Sequence, residues 1–223
     1  SNLEISKWLI RPSLLWISQT DIWLNIVILI GICSSFLLIG GLIPHIAIML
    51  SWISYLSIAV VSEPFLNFQW DALLLETYFL SFFFVPWKMH HNRNSLANPQ
   101  ALGRWLLWLL AFKLMFESGV VKFTFYGEGG SNAWRDLTAL DYHFWTQPIP
   151  SWISYYIDKL PTIFDNAALI FTYSCELIIP FFIFFKKRLR RFSAIILITF
   201  QLLILLSGNY GFFNILTIAI GIT

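Results

Sequence analysis

Charge is what this sequence has least of. Asp, Glu, Lys and Arg make up 12% of its 223 residues, about half the share that a water-soluble domain needs to solvate its surface. Together with 58% hydrophobic and 18% aromatic residues and a mean hydropathy of +0.72, this excludes a soluble globular domain and describes an integral membrane protein. A net charge of +2 is too small to imply nucleic acid as a partner, and the basic residues gather at loops. Only two cysteines occur, Cys33 and Cys175, both inside apolar runs, so no disulfide framework can be read from them. Histidine is scarce too, with four residues. His90 and His91 sit beside Lys88 and Arg93 as a solvated face, and His143 has no Cys or second His at ligand spacing, so neither a metal nor a cofactor is expected. The first residue is Ser1, and Thr223 falls inside an apolar run. The chain is expected to be one transmembrane domain, 1–223, excerpted from a longer protein.

A helix needs about twenty apolar residues to cross a bilayer, because no backbone group can be left unsatisfied there. That length picks out residues 22–43, closed by Pro44, then 45–61 in a tight hairpin with it, 70–87, 102–121, 163–185 and 192–206, with a last apolar run after "SGNYGFFN". The expected fold is all-α, a polytopic integral membrane helical bundle of about six spanning helices plus a partial last one. Residues 123–160 form an ordered outer loop in which "PSWISYYIDKL" places Trp152, Tyr155 and Tyr156 as a short interfacial helix among the membrane lipids.

Lys and Arg in short loops stay on the cytoplasmic side. "KKRLRR", with five basic residues in six, fixes its side as inside. Counting back puts Lys88, Arg93 and Arg104 inside as well. Residues 123–160, with Glu128, Asp136, Asp141 and Asp158 against Arg135 and Lys159, fall outside. Lys7 and Arg11 run against this count unless another helix precedes Ser1.

Each ionisable group at the centre of a span costs roughly 2.5–3.5 kcal/mol. Asp71 and Glu76 lie in the third span, Lys113 and Glu117 in the fourth with Lys122 just beyond it, and Glu176 in the fifth. Asn209 and Asn214 reach the same outer level as most of them. The wet stretch "SNAWRDLTALDYHFWTQPIP", residues 131–150, carries Trp134, Arg135, Asp136, His143 and Gln147 and is expected to be a lid over a polar pocket, with Arg135 and His143 pointing into it. Within it "TALDYHF" is expected to be helical, with Thr138, Asp141 and Tyr142 on one face, and "QPIP" ends the helix. Lys113 and Glu117 stand four apart, so a local structural ion pair competes with a pocket role. Glu76 and Glu176 have no cation at helical spacing in their own spans. For Glu76 the expected partner is Lys113, Lys122 or Arg135.

The stretches "PFLNFQWDALLLET", "FKLMFESGVVKF", "WRDLTALDYHFWTQPIP", "ELIIPFFIF" and "LLSGNYGFFNILTI" resemble, in order and spacing, the membrane core of the lipase maturation factor family. The resemblance covers the chain from about Pro12 onward. It implies a protein of the endoplasmic reticulum or bacterial cytoplasmic membrane that assists folding or assembly of secreted lipases or other exported clients without being an enzyme, with a further helix before Ser1 and an outward domain after Thr223. A second resemblance is carried by "ESGVVKF" followed by Trp134, which is similar to the catalytic-lysine segment of vitamin K-dependent gamma-carboxylases. It implies an enzyme acting on a lipid, a quinone or an exported protein. Lys122 and Glu117 would be the acid/base pair, and His143 and Arg135 would position an anionic group. Against that, Lys122 at the membrane surface also fits a side chain snorkelling to the headgroups. A closed cavity lined by Glu76, Glu117 and Lys122 is what an enzyme would need; a scaffold needs only a satisfied polar network.

Overall fold

The computed structural model describes residues 8–62, 64–87, 99–127 and 130–223, and among these it contains helices and no strand. The readings made of Lys7, Lys88, His90, His91, Arg93 and Glu128 fall outside the described residues. Two compact units divide the chain, Ser1–Leu107 and Trp108–Thr223.

In the first unit a 3-10 turn, Leu14–Trp16, is pinned to the helix Pro44–Ala59 by serines. Ser13 donates to the Ser57 carbonyl at 2.7 Å, and the Leu14 amide donates to Ser57 Oγ at 3.0 Å. Helix α1, Asp21–Ile39, starts where Thr20 accepts from the Trp23 amide and Asp21 complements the helix dipole. It ends four residues short of the expected limit. Gly41 and Ile43 both adopt left-handed backbone at φ 70° and 39°, so the reversal is made by residues 40–43, and Pro44 opens the next helix instead of closing the first. Helix α2, Pro44–Ala59, buries Ala47, Ser51, Ser54 and Ser57, and a Cβ on Gly31 of α1 would lie 3.2 Å from Ser54 Cβ. Small residues bring the two backbones together, as is usual between helices in lipid. Helix α3, Gln69–Phe84, is fastened at its start by Asp71, which accepts from the Phe68 amide at 3.0 Å and from the Tyr55 hydroxyl. Helix α4, Ala101–Thr124, begins with Gly103 pressed on the backbone of Phe83 and Phe84.

The second unit continues from α4 into two short helices, α5, Leu140–Thr146, and α6, Trp152–Ile157. The expected fifth span is helical from Thr162 to Phe184 but changes gauge twice. Helix α7, Thr162–Tyr173, widens into a π turn at Ser174–Ile178 and tightens to a 3-10 stretch at Ile179–Phe184. Pro180, in that last stretch, has no amide to donate, and the turn before it absorbs the missing bond. Helix α8, Lys187–Ser207, takes up most of the basic run that the sequence suggested was a connector. Cations at a helix N-terminus oppose the dipole. Arg190 offsets this by reaching back, donating to the Ile183 and Phe185 carbonyls at 3.0 and 3.1 Å and lying 3.9 Å above the Trp108 ring. Helix α9, Phe213–Ile222, ends the fold. Asp21–Ile39, Thr162–Phe184 and Lys187–Ser207 are long and apolar enough to cross a membrane, while Pro44–Ala59 and Phe213–Ile222 are shorter apolar helices.

Candidate functional site

The last carbonyls of α4 have no partner within the helix. Asn132 supplies one from beyond it: its buried amide donates to the Lys122 and Phe123 carbonyls at 3.0 and 3.3 Å, and its oxygen accepts from the Trp134 and Arg135 amides at 3.1 and 3.2 Å. Four bonds thus convert a helix end into a turn, a role asparagine fills because its side chain mimics a peptide group. The signal for it lies in "SNAW", just before the conspicuous charges. Beyond the turn, Ala139, Leu140 and Phe144 bury themselves against Leu169 of α7, with Trp134, Leu137 and Ile157 packed around them. The helix here is Leu140–Thr146, and Gln147 leaves it in extended backbone ahead of Pro148. Thr138 and Tyr142 hydroxyls sit 3.2 Å apart.

Trp134 turns inward, and Lys122 lies with its ammonium 5.2 Å from the Trp134 ring centroid. The same ammonium donates to Glu176 Oε1 at 2.6 Å. Glu176 occupies the π turn, facing α4 where Gly119 leaves room; a Cβ there would lie 2.6 Å from Leu177 Cδ2 and 2.9 Å from Glu176 Cβ. The other carboxylate oxygen, Oε2, and the Tyr173 hydroxyl are buried and have no hydrogen-bond partner among the described residues.

Arg135 does not follow Trp134 inward. Its amide and that of Trp134 are both held by Asn132. The guanidinium is exposed, donates to the Tyr126 hydroxyl at 2.7 Å and lies 5.4 Å from the Phe123 ring centroid. Its hydrogen bond therefore goes to a phenol rather than to a buried carboxylate. Asp136 is exposed as well.

His143 is half-buried, with Nε2 3.1 Å from the Tyr210 hydroxyl. Burial holds its pKa below the ordinary 6.5, and the positive charge of Lys122 pushes the same way. Burial also raises the pKa of Tyr210, so the bond joins a neutral phenol to a neutral imidazole. The linkage has a definite sign. Above pH 6.5 the ring is neutral folded and unfolded; below it the unfolded chain takes the proton first, so stability is lost as pH falls from 6.5 through the lower folded value. His143→Asn should flatten that acid limb of thermal stability, and melting curves of both proteins from pH 7.5 to 5 check it. Parallel curves would deny His143 this part.

At the far end of the segment Gln147 is buried and donates to the Ser207 and Phe144 carbonyls at 3.0 and 3.1 Å, and Ser151 donates to the Leu206 carbonyl at 2.7 Å. Asn214, fully buried in α9, donates to Gln201 of α8 at 2.7 Å, and Gln201 in turn reaches Met115 sulfur at 3.5 Å. Gln201 carries no sequence signal inside "FQLLILL", where one amide among aliphatics barely alters the hydropathy. Asn209 is exposed and accepts from the Gly211 amide. In the first unit both Asp71 oxygens are engaged locally, and Glu76 is half-buried on α3. Lys113 and Glu117 are exposed one turn apart on α4. The structure thus gathers Lys122, Glu176 and Trp134, pairs His143 with Tyr210, and seats Gln147 on the end of α8. Among the described residues no three His, Cys, Asp or Glu side chains are placed to hold a metal ion.

A family model described as the lipase maturation factor transmembrane domain matches residues 2–223. Lipase maturation factor 1 of Mus musculus is 32% identical over 96% of the chain, and lipase maturation factor 2 of Xenopus tropicalis is 37% identical over 94% of it. The human lipase maturation factor 2 is 34% identical, again over 94%. The chain spans only 37%, 30% and 31% of these relatives' own lengths, about a third. No solved structure matches it. The resemblance of "ESGVVKF" to gamma-carboxylases draws no support from these matches.

Proposed function

The chain belongs to the lipase maturation factor family, and from that premise we propose that it is the membrane-embedded part of a maturation factor that assists folding or assembly of secreted lipases or other exported clients. The observation that carries a scaffolding reading is the closure of the polar groups on one another. Lys122 is engaged by Glu176 and the Trp134 ring, His143 by Tyr210, and Gln147 by the end of α8. Polar groups paired in this way hold a surface in shape.

That surface is residues 123–160, proposed as an outer lid on the lumenal side of the endoplasmic reticulum or the periplasmic side of a bacterial cytoplasmic membrane. About six spans and a partial last one, in a single transmembrane domain, go with it. Within the second unit the lid is fastened at three helices, by Asn132 at α4, by Leu169 of α7 and by Gln147 and Ser151 at α8. Helix α6 supports a place in the membrane interface, since Trp152 is 90% exposed and Tyr155 and Tyr156 are exposed beside it. Membrane-impermeant labelling of cysteines placed at positions 131 and 188 should modify only the first in intact cells. Equal labelling would overturn the orientation.

Arg135 is the group that this lid offers to an anionic client surface, held out by Tyr126 and Phe123. Arg135→Ala is expected to cut secreted lipase activity about tenfold, the loss of one charge-assisted hydrogen bond, with membrane insertion and expression unchanged. If secretion is unaffected, the segment is a solvated connector and the proposal fails.

A further inference from the structure

Helix α8 begins with charge that nothing around it answers. Lys186, Lys187, Arg188 and Arg191 are exposed, and among the described residues their side chains make no hydrogen bond or ion pair. Arg190 differs, since it is turned back onto Trp108 and the Ile183 and Phe185 carbonyls. No Asp or Glu follows Glu176 in the sequence. On the neighbouring α4 the one acidic residue is Glu117, about 14 Å along the helix from the Trp108 that meets Arg190. Four unpaired cations thus stand together at the start of a helix whose dipole they also oppose, an arrangement that an anion would relieve.

Three features select the anion. At 21 residues α8 is about 31 Å long, the thickness of a bilayer's hydrocarbon core, so its first turn lies at the level of lipid phosphates. Arg188 and Arg191 head a stripe at helical spacing that continues through Ile195, Thr199, Leu202 and Leu206, all exposed, while Ser193, Leu197, Phe200 and Gln201 are buried on the other face. The cations therefore stand over the lipid-facing side of the helix and not over the protein. Leu189 and Phe192, 41% and 50% exposed, are interleaved with them, which suits an acyl chain beneath a headgroup and not the surface of a soluble acidic protein. We infer that α8 binds a phospholipid of net negative charge in the leaflet where the helix begins. Arg188 and Arg191, three apart and so neighbours on one face, hold its phosphate with their guanidinium forks, Lys187 stands beside them, and the acyl chain lies along Ile195 and Leu202.

The test uses the full-length protein in bilayers that contain a diazirine-bearing phosphatidylglycerol or, in parallel, a phosphatidylcholine with the same chains. Light should attach the phosphatidylglycerol to peptides of α8 about fivefold more than the phosphatidylcholine, the effect of one cation beside an anionic headgroup. Arg188→Gln with Arg191→Gln should bring the two lipids within about twofold of each other. Lys186, Lys187 and Arg190 remain in that variant to hold the orientation, and labelling of a cysteine at position 131 checks it. Lys159→Gln, which removes a cation that lies over Tyr155 in the lid, should leave the preference unchanged. Equal labelling by the two lipids in the parent, an undiminished preference in the double variant, or suppression of labelling by millimolar glycerol phosphate in the buffer would each overturn the proposal, the last by assigning the cations to a soluble anion.

Discussion

Lys122→Met is expected to lower the stability of the second unit by about 3 kcal/mol, and Lys122→Met combined with Glu176→Leu to recover most of that loss. The reasoning starts from burial. The Glu176 side chain is 5% exposed and the Lys122 side chain 23%, so the carboxylate has given up nearly all its water and the ammonium only part. Removing the ammonium leaves a buried carboxylate with one oxygen newly unpaired beside another, Oε2, that already has no partner. Breaking such a pair from one side costs about 3–5 kcal/mol, and the partial exposure of Lys122 places this case at the lower end. Taking out both partners removes the stranded charge, and aliphatic side chains in a membrane interior pack at little cost. Glu176→Gln alone should fall between, because an amide is neutral. Thermal unfolding in detergent micelles reads all four proteins. If Lys122→Met melts with the parent, or the double variant is no better than the single, the ion pair does not hold α4 to the π turn.

Gly103→Ala should be the most damaging single methyl in the first unit. Its Cβ would be built into the backbone of Phe83 and Phe84, and backbone has no rotamer to retreat into. The start of α4 must then lift away from the end of α3 and stretch the bonds that join them, from the Gln100 amide to the Phe84 carbonyl at 3.1 Å and from its side chain to Val85 at 3.2 Å. Overpacking of this kind costs about 1–3 kcal/mol where side chains can yield, and here they cannot, so the upper end or beyond is expected. Gly119→Ala provides the contrast. Its new methyl meets the tip of Leu177 and Glu176 Cβ, and Leu177 can rotate, so its loss should be visibly smaller. Gly221→Ala, with nothing nearer than 3.8 Å, should be neutral. A ranking of melting temperatures in any other order would contradict the close approach at Gly103.

The helices were legible because apolar runs must be satisfied within themselves, and each stretch marked out by length coincides with a helix in the structure. Their ends were not. Pro44 reads equally as a stop and as a first residue, and only the left-handed backbone at Gly41 and Ile43 decides between them. The basic run reads as a loop by its charge alone, whereas Arg190 is engaged by carbonyls of the preceding turn. Around the site, Glu176 was legible as a residue needing a cation, since its own span offers none. Asn132, Gln201 and Tyr210 were not, because a neutral amide or phenol costs too little in composition to stand out. Their importance comes from geometry, from which carbonyls or rings happen to lie within reach. Arg135 shows the opposite error. A conspicuous charge suggested an inward role that its neighbour Trp134 fills.

The bonds from Gln147 to the Ser207 carbonyl and from Ser151 to the Leu206 carbonyl join residues 60 and 55 positions apart. A ribosome adding about 5–20 residues each second completes residues 131–151 several seconds before the helix end that receives them exists. Until α8 has been made, only the Asn132 end of the segment can close, since the carbonyls it takes are behind it in the chain. The segment is therefore born half-shut, and its Gln147 end can seat only after the helix that ends at Ser207 has been delivered to the membrane.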